Sequence, residues 1–290
     1  MEASYRERFF DARDGLRLYA REYGSDSATD ATVLCLPGLT RNSADFADLA
    51  SNIAPRYRVL AADLRGRGRS QRDTDLQHYQ PAVYIGDVLT LLEQLRAPRV
   101  AVIGTSLGGL LAMMLGAAYP ARIAGIVLND IGPEIDPRGA ARIREYAGLL
   151  PPVHSWVQAA EQLRSIYGTV WPGLSSERWN ALTRRSYREN SAGTPEFDYD
   201  PKIGEALRQA PETNVNLWPV WAALKSVPVL SIRGELSDIL AVSTLKRMNR
   251  EKPGLQVLQV ANRGHVPLLD EPECLESIER FLSELEFAQS

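Results

Sequence analysis

The sequence predicts an α/β fold: a mostly parallel central sheet with helices on both faces, interrupted by an inserted helical cap. Three observations predict it. Strand-like β-branched and apolar runs alternate with amphipathic helix-length segments through the first half of the chain. After Asp130 that rhythm breaks into short helical pieces punctuated by prolines, and near Val227 it resumes.

Four strands are expected in the first half, at Thr32 to Leu36, Tyr57 to Ala62, Arg99 to Ile103 and Ile123 to Leu128. Between them, apolar residues at helical spacing mark about Ser43 to Ile53, Ala82 to Leu95 and Leu107 to Ala118. The interrupted stretch carries Gly132-Pro133, Pro137, Pro151-Pro152, Pro172-Gly173, Pro195 and Pro201. Beyond it come a strand at Val227 to Arg233, a helix near Ala241 to Arg250, a strand at Leu255 to Val260 and a last helix at Cys274 to Leu285. The expected organisation is a first core part at 1–131, a helical cap at 132–223 and a second core part at 224–290.

Composition limits the classes of function. The 290 residues exceed one minimal domain of roughly 150. The 44% hydrophobic and 24% charged fractions are those of ordinary globular proteins. Lys and Arg total 33 against 36 Asp and Glu, and no like-charge run stands out, so neither nucleic acid nor an anionic membrane is an expected partner. Cys35 and Cys274 lie in an apolar strand and a late helix without metal-ligand spacing, and read as reduced packing residues. The start, Met1-Glu2-Ala3-Ser4-Tyr5-Arg6-Glu7-Arg8, carries charge where a secretory signal needs an apolar core, and no apolar stretch approaches the roughly 20 residues of a membrane span. A cytoplasmic enzyme with a small-molecule substrate is expected.

The strongest chemical signal is Gly104-Thr105-Ser106-Leu107-Gly108, placed after a strand and before a helix-compatible run. A serine on such a turn sits in strained backbone geometry, and side chains at Gly104 or Gly108 would collide with the turn. Ser106 then lies at a helix N-terminus, where free backbone N–H groups favour negative charge, and the Leu107 N–H is a candidate oxyanion donor. Glycine-rich turns also occur as plain structural features or phosphate loops, so the motif alone leaves its role open.

Other segments agree with it. Leu36-Pro37-Gly38-Leu39-Thr40 follows the strand at Thr32, Asp63-Leu64-Arg65-Gly66-Arg67-Gly68-Arg69-Ser70 follows the next, and Gly264-His265-Val266 precedes Asp270-Glu271-Pro272. With these the sequence resembles the α/β-hydrolase family over nearly the whole chain except the cap. The resemblance implies a second oxyanion donor at the Leu39 N–H, from the loop where many members carry His-Gly in place of Pro37-Gly38. That departure matters little, because the donor is a backbone group.

A serine hydroxyl needs a positioned base near neutral pH, and there are three histidines to choose from. His78 lies in a polar segment that reads as a solvated loop, and His154 lies in the expected cap, where a pocket-wall or structural role fits better. His265 follows the last strand at the sheet's carboxyl edge, where open sheets gather their sites, and is the expected base. The chain order of the fold places the acid after the strand ending at Arg233, where Glu235 and Asp238 compete; Asp238 is preferred because Ile239-Leu240 could seat its loop and turn the carboxylate inward. A helix cap is the plain alternative for Asp238. Some members of the family place the acid after the earlier strand instead, which keeps Asp130 as a further candidate.

The resemblance thus implies a serine hydrolase for a small ester or lactone, working through an acyl-enzyme with no metal or organic cofactor. On the same triad, a carbon–carbon bond hydrolase or a cofactor-free perhydrolase is the alternative, and a non-catalytic ligand receptor with the same fold is the alternative of another class. A serine at the elbow argues against the dehalogenases and epoxide hydrolases that run this fold with a carboxylate nucleophile. All five tryptophans, Trp156, Trp171, Trp179, Trp218 and Trp221, fall in the expected cap and its exit, either lining an apolar or aromatic pocket or building the cap's own core. Arg184, Arg185 and Arg188 read as a solvated face.

Overall fold

The computed structural model describes residues 4–24, 31–210 and 216–287; Met1 to Ala3 of the charged start and residues 211–215 of the expected cap lie outside them. An eight-stranded sheet forms the centre. It opens with β1 (Arg6–Asp11) and β2 (Arg17–Tyr23), then β3 (Thr32–Leu36), α1 (Ala47–Ile53), β4 (Arg58–Asp63), α2 (Pro81–Gln94), β5 (Val100–Thr105), α3 (Leu107–Ala118) and β6 (Ile123–Asn129). After β6 come α4 (Pro137–Tyr146), α5 (Trp156–Tyr167), α6 (Ser176–Ser186), β7 (Tyr187–Glu189), β8 (Pro195–Phe197), α7 (Lys202–Gln209) and α8 (Trp218–Ala223). The chain re-enters the sheet through β9 (Val229–Gly234), α9 (Val242–Glu251), β10 (Gln256–Val260) and α10 (Pro272–Ser283).

The strand order is β1-β2-β4-β3-β5-β6-β9-β10. β1 pairs antiparallel with β2 and β2 with β4, whereas the six strands from β4 to β10 run parallel. The first two strands escape the sequence reading because Arg-Glu-Arg-Phe-Phe-Asp and Arg-Leu-Tyr-Ala-Arg-Glu-Tyr lack clean alternation. They are antiparallel strands at one side of the sheet, with β1 at its edge, and antiparallel strands tolerate charged residues that a doubly covered strand does not.

Period-two geometry divides the central strands between two cores. Leu34 and Leu36 of β3, with Val100 and Val102 of β5, face α2, α3 and α9. Val33 and Cys35, with Ala101 and Ile103, face α1 and α10. Both cysteines are buried and free in the second core. The segment between β6 and β9 carries a smaller apolar cluster of its own, with Ala159, Leu163, Tyr167, Trp171, Trp179 and Leu182 at its centre. Three tryptophans pack in or against that cluster; Trp218 and Trp221 on α8 belong to the sheet core instead. Among the described residues no helix is long and apolar enough to cross a membrane.

The loop after β4 is held by buried charge. Arg65, 1% exposed, places two N–H groups on Asp87 at 2.7 Å and another on Asp73 at 2.6 Å. Burial pushes the Asp87 carboxyl up against the lowering pull of Arg65, so that carboxylate depends on its partner. Replacing Arg65 with Met leaves the buried Asp87 carboxylate without its countercharge. The expected cost is about 3–5 kcal/mol, which lowers the thermal midpoint by on the order of 10 °C in scanning calorimetry.

Candidate active site

The site begins with a steric constraint. A Cβ on Gly104 would lie 2.4 Å from the Gly108 carbonyl, and one on Gly108 would lie 2.0 Å from the Leu36 oxygen. The turn from β5 into α3 therefore closes only with glycine at both places, as the motif predicts. Ser106, between them, has φ 51° and ψ −113°, a backbone conformation that L-residues rarely adopt. Its N–H bonds to the Asn129 carbonyl at 3.1 Å, which fixes the turn against the end of β6.

Ser106 Oγ lies 2.9 Å from His265 Nε2. The other ring nitrogen, Nδ1, lies 2.8 Å from Asp130 Oδ2. Asp130 is fully buried, follows β6 directly and holds φ 56°, in the left-handed region that Asp tolerates better than most residues. The Gly234 N–H donates to its Oδ1 at 2.9 Å and the Ser237 hydroxyl to its Oδ2 at 2.6 Å. Three donors thus converge on one carboxylate.

The preference for Asp238 as the acid is corrected by this geometry. Asp238 takes a two-pronged contact from Arg142 of α4, at 2.6 and 2.9 Å, while His265 bonds to Asp130. Burial tends to raise its carboxyl, but the Arg142 hydrogen bonds and charge outweigh it and hold the pKa below the ordinary range. The residue of that loop which reaches the site is its neighbour Ser237. Glu235 accepts the Asn262 N–H at 2.9 Å and braces the loop after β10. The helix that claims Asp238 arrives from an insertion about a hundred residues earlier, so no local pattern around Asp238 reveals it. The signal that pointed to the carboxylate beside His265 was the position of Asp130 after β6.

The loop after β3 closes over Ser106. A Cβ on Gly38 would sit 3.8 Å from the Ser106 Cβ, and Leu39 lines the cavity in front of the serine. Leu107 opens α3, with its N–H at the helix start. The loop after β4 explains itself here: fully buried Arg67 donates from Nε to the Leu39 carbonyl at 2.9 Å, while its Nη1 reaches the Arg65 carbonyl and the Tyr84 hydroxyl. Asp63 accepts the Ser43 and Arg69 N–H groups, and burial pushes its carboxyl up to about 6.

The cavity is small, about 70 Å³, and its walls mix apolar and polar groups, among them Arg41, Tyr146, Tyr167, Trp171 and Leu268. Arg41 is bound to Asp45 and Ser186. Arg185, expected on a solvated face, instead clamps Asp48 and borders the cavity, and Arg184 lies 3.6 Å over the Trp156 ring. His78 bonds to Asp73 at 2.9 Å in the Arg65 cluster, far from the serine in the fold. There Arg65 already occupies the space between the carboxylates of Asp14 and Asp73. His154 stands near the start of α5, with its backbone N–H on Gln158.

Comparison with known proteins agrees with the fold. Residues 31–272 match the model of the alpha/beta hydrolase fold. A 3-hydroxybutyrate-oligomer hydrolase of Cupriavidus necator is 31% identical, over 89% of this chain and 90% of its own. A 2-(acetamidomethylene)succinate hydrolase of Mesorhizobium japonicum is 25% identical over 92% of each chain. The crystal structure of an alpha/beta hydrolase from Novosphingobium aromaticivorans superposes with a TM-score of 0.90 at 43% identity, covering 98% of this chain and 99% of that one. The chain belongs to the α/β-hydrolase family and is a hydrolase.

The two acids can be told apart by substitution. Asp130→Asn is expected to lower kcat by about 10³–10⁴-fold, the scale of losing the carboxylate that orients a triad histidine. Asp238→Asn is expected to stay within a few-fold of the parent in the same steady-state assay.

Proposed function

We propose that this hydrolase cleaves a carboxylic ester or lactone of a small substrate through an acyl-enzyme on Ser106. The observation that carries the reading is the unbroken chain from Asp130 through His265 to Ser106, with contacts of 2.8 and 2.9 Å at the mouth of the cavity.

In this reading His265 Nε2 removes the Ser106 proton as Oγ attacks the substrate carbonyl. The N–H groups of Leu39 and Leu107 receive the oxyanion, and Asp130 stabilises the imidazolium and holds its tautomer. The imidazolium gives its proton to the leaving alkoxide. A water activated by the same nitrogen then releases the acyl group, and Ser106 regains its proton. Every step uses groups of the chain itself.

The size of the cavity bears on the acyl group. A small cavity, about 70 Å³, favours a short acyl chain over a long one. The similarity to a 3-hydroxybutyrate-oligomer hydrolase points the same way, toward short hydroxyacyl esters as the first substrates to assay. A panel of p-nitrophenyl esters of increasing chain length, lactones, hydroxybutyrate oligomers and vinylogous diketones tests the proposal. Highest kcat/KM on short esters is expected, with Ser106→Ala reducing it by about 10⁴-fold or more. Full esterase activity in Ser106→Ala, or turnover of the diketones alone, overturns it.

A further inference from the structure

The loop that carries His265 is gripped from outside the sheet. On one side of the histidine, the Gly264 N–H donates to the Val170 carbonyl at 2.8 Å. On the other, the Trp171 indole N–H donates to the Val266 carbonyl at 2.7 Å. The two residues that flank His265 in sequence are therefore bound to two consecutive residues of the segment after α5. Contact is close as well as polar, since a Cβ on Gly264 would lie 3.1 Å from the Val170 Cα.

Trp171 is itself firmly seated. It is 3% exposed, stacks on Tyr167 with centroids 4.6 Å apart and tilts against Trp179 at 5.8 Å. The indole N–H is thus aimed by a packed aromatic cluster, and a ring that contributes to the cavity wall also tethers the loop beside the imidazole. From the sheet side the same loop has two ties close by, from the Leu236 N–H to the Arg263 carbonyl at 2.8 Å and from Asn129 Nδ2 to the Pro267 carbonyl at 3.0 Å.

We propose that Trp171 is a positioning residue for His265: together with the Val170 carbonyl it clamps the 264–266 backbone, so that the segment between β6 and β9 aligns the base as well as covering the cavity. This rests on the role of His265 proposed above, although the clamp itself can be observed without turnover. A base must stand within hydrogen-bond reach of the proton it takes, and misplacement by about 1 Å costs on the order of a hundredfold in rate. With the tethers intact, the imidazole is held between Asp130 and Ser106. Without them, the loop keeps its ties to Leu236 and Asn129 but loses those at the residues directly flanking His265.

Two variants test the clamp from opposite sides. Trp171→Phe keeps an aromatic ring against Tyr167 and the cavity but removes the donor to Val266. Gly264→Ala keeps the cavity-lining side chains and crowds Val170, so that the loop and the segment after α5 must part by a few tenths of an ångström. Both are expected to slow fluorophosphonate labelling of Ser106 and to lower kcat by about ten- to a hundredfold, with KM within about threefold and the thermal midpoint nearly unchanged. Trp179→Phe, in the same aromatic cluster but without a bond to the loop, is expected to label at close to the parent rate. The proton resonance of the His265 Nδ1–H on Asp130 supplies a readout that needs no substrate, and it is expected to broaden or vanish in both clamp variants. Parent-like labelling and an unchanged resonance in Gly264→Ala overturn the proposal, as does a rate loss in Trp171→Phe matched by Trp179→Phe. Should Trp171→Phe fail to fold, Gly264→Ala decides alone. If the parent protein is not labelled while the resonance still responds, the hydrolytic mechanism fails and the clamp stands.

Discussion

Everything at the site follows from the backbone of one residue. Ser106 occupies a conformation that costs on the order of 1–3 kcal/mol for a non-glycine residue, and it persists because its surroundings leave no alternative. Gly104 and Gly108 allow β5 and α3 to meet at contact distance, and the Ser106 N–H is tied to the Asn129 carbonyl. In return the hydroxyl stands clear of both elements, at the carboxyl edge of the sheet and at a helix N-terminus. The loop carrying Leu39, the loop carrying His265 and the carboxylate of Asp130 are all arranged around that one fixed atom.

The support for this arrangement is layered. Asp130 takes three donors, from Gly234, Ser237 and His265, so its orientation is overdetermined and the imidazole inherits that order. The loop after β4 does for Leu39 what β9 does for Asp130: a fully buried guanidinium, Arg67, holds the Leu39 carbonyl, and Arg65 binds the carboxylates of Asp73 and Asp87 beneath it. Buried ion pairs are weak sources of net stability. Their value here is geometric, because a guanidinium with several fixed acceptors specifies one loop conformation rather than many.

The segment between β6 and β9 touches all parts of the site. Its α4 pairs with Asp238 through Arg142. Its aromatic cluster borders the cavity through Trp171 and reaches the His265 loop. Near its end, Asp198 and Asp200 bond to the Gly68 N–H and the Gly66 carbonyl of the β4 loop. Cavity shape and base geometry thus share one structural support.

The sequence by itself determined the parallel strands, the tight turn at Ser106 and the place of His265 after the last strand, because each rests on short-range patterning. Alternation marks a strand, glycine marks a turn that no Cβ can enter, and a histidine after a terminal strand is placed by topology. It missed β1 and β2, whose charged edge residues obscure alternation. It named three acids after strand ends and preferred Asp238, which the structure pairs with Arg142 instead, because that partner lies about a hundred residues away in the chain. Only the tertiary structure decided that Arg142 takes Asp238 and leaves Asp130 facing His265. The uses of Ser237, Arg67 and Trp171 were equally beyond the sequence, because each acts on a residue at least 28 positions away. Patterning reports what a residue does for its own element; partners so far along the chain meet only once the sheet has closed.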